Sequence, residues 1–128
     1  MKEVVRISQI SIVRLEIKNP NKEIAGKAFQ KLIELHSGVF TREVYDYYGK
    51  KQKVDFGMKI GNKTIGIRVT DKIEFLGDEF LLKSLFRGIM EEFNEIYAAI
   101  SISEILRSFG YKVNTRKMEE GIYIEAER

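Results

Sequence analysis

The chain has 128 residues, 44% of them hydrophobic and 32% charged, with a net charge of +3 and no cysteine. That length suits one domain with a proper core and is too short for two, and with Pro20 as the single proline no long disordered segment is expected. Without cysteine, disulfides, thiolate nucleophiles, Fe–S clusters and cysteine-ligated zinc are excluded.

The opening stretch MKEVVRISQISIVRLEIK is interrupted by Glu3, Arg6, Arg14 and Glu16. It lacks the apolar core of a signal peptide and the length of a membrane span, so a cytoplasmic protein with no membrane partner is the expectation. Abundant Ile, Lys and Glu with few Ala is the usage of a thermophile. Charge is unevenly spread: residues 1–64 hold 13 Lys and Arg against 7 Asp and Glu, whereas residues 65–128 hold 9 against 12. Such a split favours an anionic partner for one half, or head-to-tail contact between copies, unless folding interleaves the halves.

Val13, Leu15 and Ile17 alternate with Arg14, Glu16 and Lys18, the period of a strand with one wet face. Asn19 and Pro20 then supply a cap and a first-turn proline. Ile24, Ala28, Leu32 and Leu35 recur at helical spacing until Gly38. Residues 39–69 are rich in aromatic and β-branched side chains and read as three successive strands. A two-residue turn at Gly61 and Asn62 sets Met58 opposite Ile65, Phe56 opposite Ile67 and Val54 opposite Val69, with the apolar residues on one face.

Asp78 precedes a long helical run whose stripe is Leu82, Leu85, Phe86, Ile89, Phe93, Ile96, Tyr97 and Ile100. The apolar set then shifts to Ile102, Ile105, Leu106 and Phe109. SISE at 101–104 has the form of a capping box, which predicts a kink or a new helix near Ser101. Gly110 ends the run, and residues 111–128 read as a terminal hairpin with Gly121 in its turn and Ile122 and Ile124 facing inward.

The order is β-α-β-β-β-α-(α)-β-β, so the fold class is α+β. We expect a single α+β domain over residues 1–128: an antiparallel sheet of about five to six strands, with an N-terminal helix and a long, kinked or split second helix on one face.

No catalytic constellation emerges. His36 is the only histidine and sits where the first helix ends. No G-x-S-x-G elbow presents a serine, and neither glycine-rich phosphate motif occurs. Glu91, Glu92 and Glu95 fall largely opposite the apolar stripe and read as a solvated face rather than a metal site. Asp55 would begin a hairpin nuclease motif, but the next strand reads Ile65, Gly66, Ile67, Arg68 with no acid. Its expected partner is Arg68 across the hairpin, an ion pair contributing roughly 0.2–1 kcal/mol. Neither a cofactor nor a metal is called for.

Two features carry binding readings instead. REVYDYYGKKQK at 42–53 sets Tyr45, Tyr47 and Tyr48 beside Lys50, Lys51 and Lys53. Rings beside cations grip single-stranded nucleic acid without reading its sequence, and they also suit a half-buried strand leading into an exposed turn. The hairpin register places Gly57 opposite Gly66, with Arg68 two residues further along. Paired glycines inside a hairpin lower its stability, so something is expected to approach that bare backbone: an internal element, another subunit or a ligand.

YYGKKQKVDFGMKIGNKTIGIRV, the acidic FLGDEF, FNEIYAAISISEILRSFGYKV and EEGIYIEAER together span most of residues 44–128. In Tyr48, Gly49, Asp55, Gly66, Tyr97, Gly110 and the closing hairpin this region resembles a domain-of-unknown-function family of small conserved hypothetical proteins, typified by a reading frame of algal plastids and cyanobacteria. The resemblance implies a small α+β accessory protein with a protein partner, since family members stand beside AAA-type ATPases. It assigns no catalytic residue.

The leading expectation is thus a non-enzymatic adaptor or subunit acting by protein contact, including self-association as a homodimer. The alternative is a single-stranded nucleic-acid-binding module built on residues 42–53, and an unrecognised enzyme comes third.

Overall fold

The computed structural model of the chain describes residues 3–7, 10–119 and 121–128. Residues 1, 2, 8 and 9 of the stretch weighed above as a leader, and Glu120 in the turn of the terminal hairpin, lie outside the described residues. The elements are β1 (Glu3–Ile7), β2 (Ile10–Leu15), α1 (Lys22–His36), β3 (Val39–Tyr45), β4 (Lys51–Ile60), β5 (Lys63–Val69), β6 (Ile73–Gly77), α2 (Glu79–Leu82), α3 (Ser84–Ser108), β7 (Lys112–Met118) and β8 (Gly121–Glu127). The class is α+β, as expected. Six strands form one antiparallel sheet in the order β1-β2-β6-β5-β4-β3, and β7 and β8 form a separate two-stranded sheet.

That strand count conceals an exchange. The terminal hairpin was expected within the main sheet, whereas its places are taken by β1 and β6, two strands not read from the sequence. β6 is nonetheless a period-2 segment: Ile73 and Phe75 are fully buried beneath the helices while Glu74 points to the other face.

α1 and α3 pack on one face of the sheet. Val13, Leu15, Met58, Ile65, Ile67, Ile73 and Phe75 from the strands meet Ala25, Ala28, Phe29 and Leu32 of α1 and Phe86, Ile89 and Phe93 of α3. Phe75 and Phe93 pack edge to face with centroids 5.1 Å apart, and each such side chain contributes about 1.5–3 kcal/mol by leaving water. The Tyr97 hydroxyl accepts the Asn21 backbone N–H at 2.9 Å, which ties α3 to the start of α1. Farther along, Glu104 accepts a hydrogen bond from Lys27 at 3.0 Å and thereby raises the Lys27 ammonium pKa above its ordinary value.

The helix boundaries shift from those expected. Asn21, not Asn19, caps α1, its Oδ1 accepting the Ile24 N–H at 3.0 Å. The left-handed residue at the far end is Ser37 (φ 51°), one before Gly38. α3 runs unbroken through Ser101, whose hydroxyl donates to the Tyr97 carbonyl at 2.9 Å within the helix and so has no capping role. The break lies instead at Lys83 (φ 54°, ψ −132°), between α2 and α3.

The Gly61–Asn62 turn and its register hold from Ile60–Lys63 to Phe56–Ile67, with Gly57 opposite Gly66. Beyond Phe56 the register fails. Thr41 pairs with Gly57 but Glu43 pairs with Lys53, so two steps along β3 match four along β4. This bulge bends β4 and reverses the face of Val54. The expected Val54–Val69 pair is replaced by a hydrogen bond from the Val69 N–H to Asp55 Oδ2 at 2.7 Å. Val54 turns to the opposite face, where with Val44 it packs on Ile10, Ile12 and Leu76 as a second, smaller core.

Candidate functional site

The Tyr/Lys segment straddles the end of β3, the 46–50 loop and the start of β4. Two buried aspartates shape the loop. Asp46 Oδ1 accepts the Tyr48 and Lys50 N–H groups, both at 2.8 Å, closing a tight turn in which Gly49 has φ 80°. Asp78, 1% exposed, caps α2 with Oδ1 (Phe80 N–H at 2.9 Å) and reaches across with Oδ2 to the Tyr47 N–H at 2.7 Å. One carboxylate therefore fastens the β3–β4 loop to the start of α2.

The result is an exposed aromatic knuckle. Tyr47, Tyr48 and Phe80 are 61%, 71% and 68% exposed. Tyr47 meets Tyr48 edge to face at 5.3 Å and Phe80 edge to face at 5.9 Å, contacts that contribute about 0.5–1.5 kcal/mol each. The three rings lie outside the core, and the backbone that carries them is held by hydrogen bonds to the two aspartates. The sequence reading missed Phe80, which lies 32 residues after Tyr48. Its signal was its position two residues after the capping Asp78, outside the stripe that buries Leu82 and Phe86.

The remaining predicted residues divide between the knuckle and the bent hairpin. Lys50 is exposed in the loop itself, and Lys51 and Lys53 are exposed on β4. Tyr45 stands apart: it is half-buried on β3, its N–H bonds to Thr64 Oγ1 at 2.8 Å, and the Lys51 ammonium lies 5.4 Å from its ring centroid. Gly57 and Gly66 are buried, and what covers them is Val54, swung over by the bulge. A Cβ on Gly66 would stand 2.8 Å from Val54 Cγ2 and 2.9 Å from the Phe56 carbonyl oxygen; one on Gly57 would stand 2.8 Å from the Thr41 carbonyl oxygen.

The expected Asp55–Arg68 pair does not form. The bulge carries Asp55 toward the Val69 N–H and Lys22 (3.3 Å), while Arg68 pairs with Glu74 across β5 and β6 at 3.3 Å. Arg14 reaches the same carboxylate group from β2 at 3.0 Å. Glu74 thus sits between two guanidinium groups on the sheet face opposite the helices.

His36 is the last residue of α1, and its Nε2 lies 2.7 Å from Glu92 Oε1. Glu92 also lies 3.6 Å from Lys117, so it is engaged, whereas Glu91 and Glu95 are exposed. Among the described residues no helix is long and apolar enough to cross a membrane. No protein-family profile, curated protein or solved structure matches the chain.

Proposed function

We propose that this protein is a non-enzymatic accessory or adaptor subunit that docks on a protein partner through the Tyr47–Tyr48–Phe80 knuckle. One observation carries the reading: three exposed rings in mutual contact, on backbone held by the buried carboxylates of Asp46 and Asp78. Aromatic anchors of this kind dominate binding energy at protein interfaces, and holding their backbone in advance lowers the ordering cost of association. Lys50, exposed in the same loop as Tyr47 and Tyr48, favours a partner whose apolar groove has an acidic rim. The reading takes up the accessory role implied by the resemblance of residues 44–128 to a domain-of-unknown-function family, with cytoplasmic location as its setting.

Affinity purification from extracts of the source cell tests it. Wild-type protein is expected to retain a polypeptide that the Y48A/F80A double variant loses, with circular dichroism unchanged between them. Retention of the same polypeptides by both would contradict the proposal. Light scattering at two protein concentrations decides whether the partner is a second copy.

A second reading rests on the exposed Lys50, Lys51 and Lys53 that follow the open ring of Tyr48 in the sequence, a composition that suits stacking of single-stranded bases. Fluorescence anisotropy with single-stranded DNA and RNA at two salt concentrations separates the two: the nucleic-acid reading requires binding that weakens steeply as salt rises.

A further inference from the structure

A cleft of about 400 Å³ opens between α1, the carboxyl-terminal half of α3 and the β7–β8 hairpin, within the size range of small-molecule sites. It shares no residue with the aromatic knuckle and is independent of the function proposed above. Its α3 wall is a single stripe, because Ile96, Ile100, Ser103 and Arg107 follow one another at helical spacing. Polarity changes along that stripe, from two isoleucines to a serine and then an arginine. Ile122 of β8 extends the apolar end.

Two polar groups on this wall are uncommitted. Ser103 is 3% exposed, and its Oγ has no hydrogen-bond partner among the described residues. Ser101 and Ser108 on the same helix donate to the Tyr97 and Ile105 carbonyls, a bond open to any helical serine. A buried hydroxyl left unpaired is unfavourable until a guest satisfies it. Arg107, one turn further on, forms no ion pair among the described residues. The other cations of the lining, Lys31, Arg116 and Lys117, are paired with Glu34, Glu125 and Glu92. With the other three cations neutralised by these acids, Arg107 sets the sign of the guest, and one free guanidinium one turn from one hydroxyl suits a single planar anion.

We propose that the cleft binds a free amphiphilic monocarboxylate, its alkyl tail against Ile96, Ile100 and Ile122 and its carboxylate held by Ser103 and Arg107. Isothermal titration of the full chain with dodecanoate, dodecanol and dodecyltrimethylammonium, the two ions below their micelle concentrations and the alcohol below its solubility limit, tests this. Dodecanoate is expected to bind saturably at one site, about tenfold or more tighter than the other two. R107E, a change at an exposed position in the last turn of α3, is expected to remove that preference and leave dodecanol binding unchanged. S103A is expected to weaken dodecanoate binding while raising the Tm of the unliganded protein, a pairing that a purely structural serine would not produce. Absence of saturable binding, equal affinity for dodecanol, or indifference to R107E each overturns the proposal. So does cosedimentation with phosphatidylglycerol vesicles that R107E abolishes, since it would place the head group on a membrane lipid.

Discussion

Asp78 shows how one side chain links folding to the candidate site. It satisfies amide groups at the start of α2 and the Tyr47 amide in a different loop. D78A should therefore cost about 2–4 kcal/mol, a lost cap plus a buried N–H left without a partner, measured as a lowered urea midpoint. The sequence showed the cap, because an aspartate before a helical run has a local signature. It could not show the bond to Tyr47, whose spacing of 31 residues obeys no periodicity. The glycine pair is a second case. Its register was legible from the turn, but the covering residue was not, since the alternation of β4 placed Val54 on the wrong face. G66A should cost about 1–3 kcal/mol by forcing a Cβ against Val54. V54A in the same chain should recover part of that loss, a coupling of at least about 0.5 kcal/mol in a double-mutant cycle. Strict additivity would mean that Val54 is not what excludes the side chain.

Among elements, those with a long amphipathic period were readable and those whose position depends on partners were not. α1 and α3 announce themselves by stripes of which Ala28, Leu32, Phe86, Ile89 and Phe93 are buried, although Leu35 at the end of the first is half exposed. β6 is five residues long and followed directly by the Asp78 cap, so its alternation is too brief to stand out beside the helix that follows. The terminal hairpin has the right local pattern, yet its register says nothing about which sheet it joins, and it packs instead on α3. The break between α2 and α3 is marked in the backbone alone, by Lys83 in a conformation that glycine adopts more readily than lysine. K83G should consequently stabilise the protein by about 1 kcal/mol, observed as a higher Tm, whereas the same substitution at an ordinary helical position lowers it.

At the scale of the whole molecule, one sheet face builds the core with α1 and α3, and the bent β3–β4 hairpin folds part of the other face inward. That bend sets the β3–β4 loop against the start of α2, where Tyr47 and Tyr48 meet Phe80. Two of the knuckle's three rings were visible as consecutive tyrosines, and the third required the fold to bring residue 80 to residue 47. The central claim is that this knuckle is a docking surface for a protein. Photo-crosslinking from p-benzoylphenylalanine, placed singly at Tyr48, at Phe80 and at the exposed Phe109 that follows α3, tests it most directly. Within the source cell, positions 48 and 80 should give the same discrete adduct and position 109 should not. Adducts of equal yield from all three positions, or none from 48 and 80, would contradict the account.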